Sequence, residues 1–431
     1  MPGFHGAAKL KIDESDAQRF ALEVVHKLRD AGFESLWAGG CVRDRLLGKT
    51  PKDYDIATNA NPQQVREVFG RRRTIAVGAS FGVITVLGRK SEGQIEVATF
   101  RQDAGYSDGR HPDAVRFSTA EKDAQRRDFT INGLFYDPID ERVIDYVEGE
   151  RDLKRKVIRA IGNPQERIAE DKLRMLRAVR FAANYEFELD GPTLLAIQEN
   201  AGSIRVVSRE RILAELRRIF GHANRRLGVT YLQDARLLNE IFDHAELPDL
   251  SGVPRSMELV GAVASERFET AIALFLLPLT ACGENGAQGT RQFSSVLREW
   301  KFSNEEARLI LWLLGQHPVL LNASPETWPA VQRILVQEQA QEMLFFCDAV
   351  SQVARDTYRD QLAYCRKQML LPPDQFNPPP LLNGDDLKQA GYSPGPGFRT
   401  VLDRVRDLQL MGQLNQQEQA LQLARQWLDN P

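Results

Sequence analysis

The hydrophobic pattern of this 431-residue chain changes once, near Arg151, and that change constrains the fold more than any other feature. Before it, short alternating or β-branched runs at 35–38, 54–57, 81–87 and 94–100 read as strands. They are interleaved with helical spacing, as at 17–31, where Phe20, Val24, Val25 and Leu28 share one face and Gly32 is a stop signal. After Arg151 the spacing is helical nearly throughout, with candidate helices at 164–185, 192–200, 209–220 and 225–238 and a further group over 256–314. The expected class is therefore α+β: a small mixed sheet flanked by helices, followed by an all-α remainder. The proline-rich run 371–380 reads as a linker, and a last helical unit over 385–428 follows it. No fixed-period repeat is present.

At 42% hydrophobic and 27% charged residues the chain is globular, and its length suggests two to four domains. A formal net charge of -3 does not advertise a nucleic-acid partner, so any basic surface must be local. The 4 cysteines, Cys41, Cys282, Cys347 and Cys365, have no metal-site or disulfide-framework spacing. Residues 1–16 lack a continuous apolar core, so no secretory leader is expected. The most apolar run, 271–279, falls well short of the roughly 20 residues that span a bilayer. A cytoplasmic enzyme with no membrane partner is expected; the oligomeric state is not legible.

The chemistry-bearing stretch is Gly39-Gly40-Cys41-Val42-Arg43-Asp44, followed by Asp53-Tyr54-Asp55. In a strand, residues two apart point to the same side, so Asp53 and Asp55 are expected to stand side by side. Paired carboxylates repel unless a cation joins them, which points to a bound metal. Gly39 and Gly40 at a strand-to-helix turn would let the backbone approach a phosphate closely. A bare Asp-X-Asp or Gly-Gly is usually only a turn; the combination, with Arg43 beside the glycines, is informative. Glu96 is the candidate third carboxylate, on a strand face with Gln94 and Ala98 and opposite Ile95 and Val97.

Residues 39–55 resemble the first motif of the class II tRNA nucleotidyltransferase and bacterial poly(A) polymerase family, within the polymerase β superfamily. The likeness continues in order. It takes in Arg126-Arg127-Asp128-Phe129-Thr130-Ile131-Asn132, then 145–153, then 170–181 with Glu170-Asp171-Lys172-Leu173-Arg174, and finally Ser208-Arg209-Glu210-Arg211 with Glu215-Leu216. The resemblance implies a nucleotidyltransferase head at 1–148, a nucleotide-selecting neck at 149–222, a helical body at 223–370 and an RNA-binding tail at 371–431. It also implies that Gly39, Gly40, Arg43, Arg127, Asp128, Asp171, Arg174, Arg177 and Arg180 line the nucleotide site, and that Asp53 and Asp55 hold Mg²⁺; Glu96 remains the candidate third catalytic carboxylate from its strand position. Read on its own spacing, 164–181 is one amphipathic helix with Asp171 and Arg174 three apart on its polar side. A carboxylate beside a guanidinium can mimic a base-pairing partner for cytosine or adenine. Elsewhere such a pair is an ordinary surface ion pair.

The expected reaction is template-independent addition of CCA to the 3′ end of tRNA from CTP and ATP. Addition of the terminal A alone, poly(A) synthesis, and an inert RNA-binding protein on the same scaffold are the alternatives. The polar segment 101–117, with Tyr106, Asp108, Gly109, Arg110, His111 and Pro112, is similar to the loop that supports addition of the last A in this family. RNA is expected to meet local positive charge at Arg205, Arg209, Arg211, Arg217, Arg218, Arg225 and Arg226, and at Arg71-Arg72-Arg73. The tail stretch Gly391-Tyr392-Ser393-Pro394-Gly395-Pro396-Gly397 reads as a tight turn between helices.

Overall fold

The computed structural model describes residues 15–104, 114–242, 251–279 and 286–429. They fold as two compact units. One holds the described residues up to Glu215 together with Leu227–Ile241; the other holds Leu216–Arg226 and the described residues from Phe242 onward.

The first unit opens with helix α1 (Asp16–Asp30), capped by the Ser15 side chain on the Gln18 amide. Its apolar face, Phe20, Ala21, Val24, Val25 and Leu28, is fully buried. Strand β1 (Ser35–Ala38) leads through Gly39 into helix α2 (Gly40–Leu46) and on to β2 (Asp55–Thr58). Helix α3 (Pro62–Phe69) is held by a capping box between Asn61 and Gln64. Strands β3 (Thr74–Ile75), β4 (Val83–Leu87) and β5 (Gln94–Thr99) follow. A separate ribbon pairs β6 (Arg101–Ala104) with β7 (Ala114–Phe117). Helix α4 (Ala120–Gln125) then leads to β8 (Phe135–Asp137) and β9 (Arg142–Ile144).

The seven-stranded sheet has the order β3-β4-β5-β2-β1-β8-β9. Only the β2–β5 pair is parallel among its strands, and its register sets Asp55 directly beside Glu96. Helix α4 seals a core cluster of Leu36, Ala38, Ala57, Phe100, Ala120, Ala124 and Phe135. The class is α+β, as expected from the change in periodicity. The short strands β3, β8 and β9 and the ribbon escaped the sequence reading, because two to four residues carry too little alternation to register.

Helix α5 (Gly149–Arg155) precedes α6 (Pro164–Glu170) and α7 (Arg174–Tyr185). The single helix expected over 164–181 is thus two. Asp171 is extended (φ -146°, ψ 105°) and its carboxylate accepts the Leu173 amide, so side chain replaces backbone acceptor at the break. The helix expected over 225–238 is likewise interrupted, by Arg236 at φ 59°, between Arg225–Asp234 and Leu237–Phe242. Helices α8 (Gly191–Asn200) and α9 (Arg209–Phe220) stand close to their expected bounds.

In the second unit, helices Val253–Ala262, Phe268–Leu276 and Asn304–Leu321 pack around buried Phe275, Leu313 and Phe346. Its last part has its own apolar cluster of Leu382, Leu387, Val401, Val405, Leu414, Ala420 and Ala424. Among the described residues no helix is long and apolar enough to cross a membrane.

Candidate active site

Gly39 sits at φ +70°, and a Cβ there would lie 2.8 Å from the Arg127 guanidinium. The left-handed backbone favours glycine at the turn between β1 and α2, and any side chain there would displace the end of Arg127. Gly40 opens α2, one turn ahead of Arg43. The Arg43 guanidinium is buried; it donates to Asn132 Oδ1 at 2.5 Å and to Asp44 Oδ1 at 3.0 Å. It also lies over the rings of Tyr185 (4.6 Å) and Phe181 (5.2 Å) on α7.

The carboxylates are arranged differently from the expectation. Asp53 lies in the bend before β2, not on the strand, so the two-residue alternation that was to place it beside Asp55 does not apply. Asp55 begins the strand and gains Glu96 as its lateral neighbour instead. Asp55 keeps a solvent-accessible side, yet the surrounding walls desolvate it. That desolvation, with the negative charges of Glu96 and Asp53, outweighs the opposing charge of Arg127 and pushes the Asp55 carboxyl up to about 6. Among the described residues no three His, Cys, Asp or Glu side chains converge tightly enough to form a ready-made cation cage.

Asp128 is buried under the turn Thr130–Asn132 and accepts from the Phe129 amide (2.8 Å), Asn132 Nδ2 (3.0 Å) and Arg177 Nε (2.8 Å). Burial alone would raise its carboxyl; the Arg177 charge and these donors override that and hold it at about 2. Arg127 is clamped by Asp123 and donates to the Asn132 carbonyl at 3.2 Å.

The base-selecting candidates do not pair with each other. Asp171 is gripped by Arg211, at 2.9 and 3.1 Å. Arg174 pairs with Glu170 at 2.6 Å and donates to the Arg167 carbonyl. Arg180 pairs with Glu215 at 3.0 Å and lies over Phe181. Arg211 and Glu215 are distant in sequence, so helical spacing had no signal for them, whereas Glu170 stands at the ordinary helical offset of four from Arg174. Asn132, Asp123, Tyr185 and Glu170 were not singled out as site residues. Offsets of four, between Asp123 and Arg127 and between Glu170 and Arg174, were the spacing signals for two of them.

Several arginines expected to meet RNA are already engaged. Besides Arg211, Arg205 pairs with Glu240 and Arg217 with Glu306. Buried Arg225 donates to the Ser265 carbonyl. Arg71 and Arg72 are exposed. The loop residues Tyr106, Asp108, Gly109, Arg110, His111 and Pro112 lie outside the described residues.

Residues 36–159 match the family model for the poly A polymerase head domain, and 186–250 match that for a probable RNA and SrmB-binding site of polymerase A. The CCA-adding enzyme of Levilactobacillus brevis is 32% identical over 93% of this chain and 96% of its own length. The chain belongs to the family of CCA-adding enzymes and bacterial poly(A) polymerases. Poly(A) polymerase I of Haemophilus influenzae is 42% identical over 48% of each chain. Among solved structures, the CCA-adding enzyme of Bacillus stearothermophilus in complex with CTP superposes with a TM-score of 0.73 at 27% identity. That match covers 96% of this chain and 99% of the other.

Proposed function

We propose that this chain is a tRNA nucleotidyltransferase that adds CCA to the 3′ end of tRNA from CTP and ATP. The observation that carries the reading is the kinship with CCA-adding enzymes over 93% of the chain, joined to the clustering of Asp55 and Glu96 beside the Gly39 turn. In each step the RNA 3′ oxygen attacks the α-phosphorus, the bond to the pyrophosphate oxygen breaks, and pyrophosphate leaves. Gly39 and Gly40 let the backbone approach the triphosphate, and Arg43 and Arg127 face its charge. Asp128 and Asn132 hold Arg177 and Arg43 at fixed positions. Asp171 and Arg174 read the base from the positions in which Arg211 and Glu170 hold them.

Asp53, Asp55 and Glu96 would hold a divalent cation, Mg²⁺ in this reading, which would offset the desolvation and the like charges of Glu96 and Asp53 that raise the Asp55 carboxyl. Such an ion supplies charge neutralisation for the phosphates and activates the attacking hydroxyl. In this reading residues 1–148 carry the chemistry, 149–222 select the nucleotide, and 223–370 and 371–431 serve the RNA.

A second reading, poly(A) synthesis, draws on the 42% identity to a poly(A) polymerase over half the chain. One extension assay separates the two. It uses tRNA ending before CCA, tRNA ending in CC, and an unrelated RNA, each with CTP, ATP or both. CCA addition requires that the first tRNA gain three nucleotides and stop. Long A tails on the unrelated RNA would overturn it, and extension of only the CC-ended tRNA would restrict the activity to the last A.

A further inference from the structure

Asp123 is a carboxylate at the end of α4 that is only 1% exposed, and none of the roles above uses it. Both of its oxygens are committed, in different directions. Oδ2 accepts from Arg127 Nε at 3.2 Å and Nη2 at 3.0 Å. Oδ1 accepts from Arg126 Nε at 2.9 Å and Nη2 at 2.6 Å, and from the Arg101 amide at 3.3 Å. Arg101 opens the β6–β7 ribbon, and Arg126 also reaches Asp103 of that ribbon at 3.6 Å. Asp103 in turn pairs with Arg101 at 3.0 Å.

On the other side, Arg127 touches the Asn132 carbonyl and occupies the space a Cβ on Gly39 would need. One buried charge therefore joins the ribbon to the arginine that crosses the glycine turn. With Arg126 and Arg127 adjacent in sequence, only a carboxylate between them can hold both guanidinium planes at once. Asparagine has one acceptor oxygen and cannot satisfy both sides. A buried pair broken on one side leaves its partner uncompensated, so ribbon and Arg127 share a single set point.

We propose that Asp123 is a positioning residue that ties the β6–β7 ribbon to Arg127, so that a displacement of the ribbon is felt at the bound nucleotide. The inference rests on the reading of Arg127 as a nucleotide-facing group. Arg127 is then fixed relative to the described strands of the ribbon through Asp123.

The test is nucleotide affinity of the full-length protein, titrated with CTP and with ATP in the presence of Mg²⁺ and without RNA. Asp123→Asn is expected to weaken both nucleotides roughly tenfold, the effect of losing one charge-assisted hydrogen-bond pair, while tRNA affinity stays unchanged. Asp103→Asn is expected to weaken them roughly threefold in the parent and to have no further effect in Asp123→Asn. Should Asp123→Asn fail to fold, Arg126→Gln serves. It keeps the Asp123–Arg127 pair, cuts the tie to Asp103, and must also abolish the effect of Asp103→Asn. Parent-like nucleotide affinity in Asp123→Asn would overturn the proposal. So would an Asp103→Asn effect of equal size in every background, or equal losses for nucleotide and tRNA. If the parent transfers no nucleotide yet shows the expected coupling, the functional reading fails and the coupling stands.

Discussion

At the residue scale, Asp55 and Asp128 are two buried-side carboxylates driven in opposite directions by their neighbours. Desolvation, with the like charges of Glu96 and Asp53, raises Asp55 to about 6, above its unfolded value of 3.8. Its contribution to stability is fully present below the unfolded value and lost as pH rises through about 6. Metal-free protein should therefore lose thermal stability across that window. Asp55→Asn should remove the loss and melt higher at pH 7 while abolishing nucleotidyl transfer, as differential scanning calorimetry and the extension assay would show. A lower melting temperature for the variant would contradict the repulsion argument. Asp128 is held at about 2 by Arg177 and its amide donors, so its contribution is present above the unfolded value and lost as pH falls toward 2. Asp128→Ala leaves half-buried Arg177 without its carboxylate and should cost about 1–3 kcal/mol in urea denaturation at pH 7.

At the element scale, pairing and helix breaks do what side-chain spacing alone does not. The parallel β2–β5 register makes Glu96 the neighbour of Asp55, so Glu96→Gln should raise the Mg²⁺ concentration for half-maximal activity by roughly 10–100-fold. A change confined to kcat, with metal dependence intact, would remove Glu96 from the cation site. The break between α6 and α7 frees Asp171 from the helix and presents it to Arg211 on α9. Arg211→Ala should lower kcat/KM for CTP and ATP roughly tenfold, by letting Asp171 leave its position. The measurement is steady-state kinetics on tRNA ending in CC and on tRNA ending before CCA. The helix break was not legible because 164–185 carries no Gly or Pro at residue 171; the interruption comes from a local carboxylate–amide bond and a distant arginine.

At the scale of the whole molecule, the two units have separate apolar cores, and the last 50 or so described residues add a small cluster around fully buried Leu387. Leu387→Ala should cost that cluster about 2–5 kcal/mol. Hydrogen exchange should then accelerate over 382–429, while CTP affinity is unchanged. The net charge of -3 is distributed so that many arginines are offset internally, among them Arg205, Arg211 and Arg217. A dense run of arginine in sequence reports charge, and only tertiary pairing decides how much of it is left for a phosphate backbone.

The sequence by itself determined the α+β class, the order of the chemistry-bearing segments and the glycine turn, because these depend on periodicity and residue type along the chain. The tertiary structure alone decided where the selecting helix breaks and which partners hold Asp171, Arg177 and Arg180. Those are pairings between charges far apart in sequence, and local spacing carries no record of them. Glu96, the expected third carboxylate, stands beside Asp55 because the parallel register of β2 and β5 brings those two charges together, which alternation along one strand cannot do.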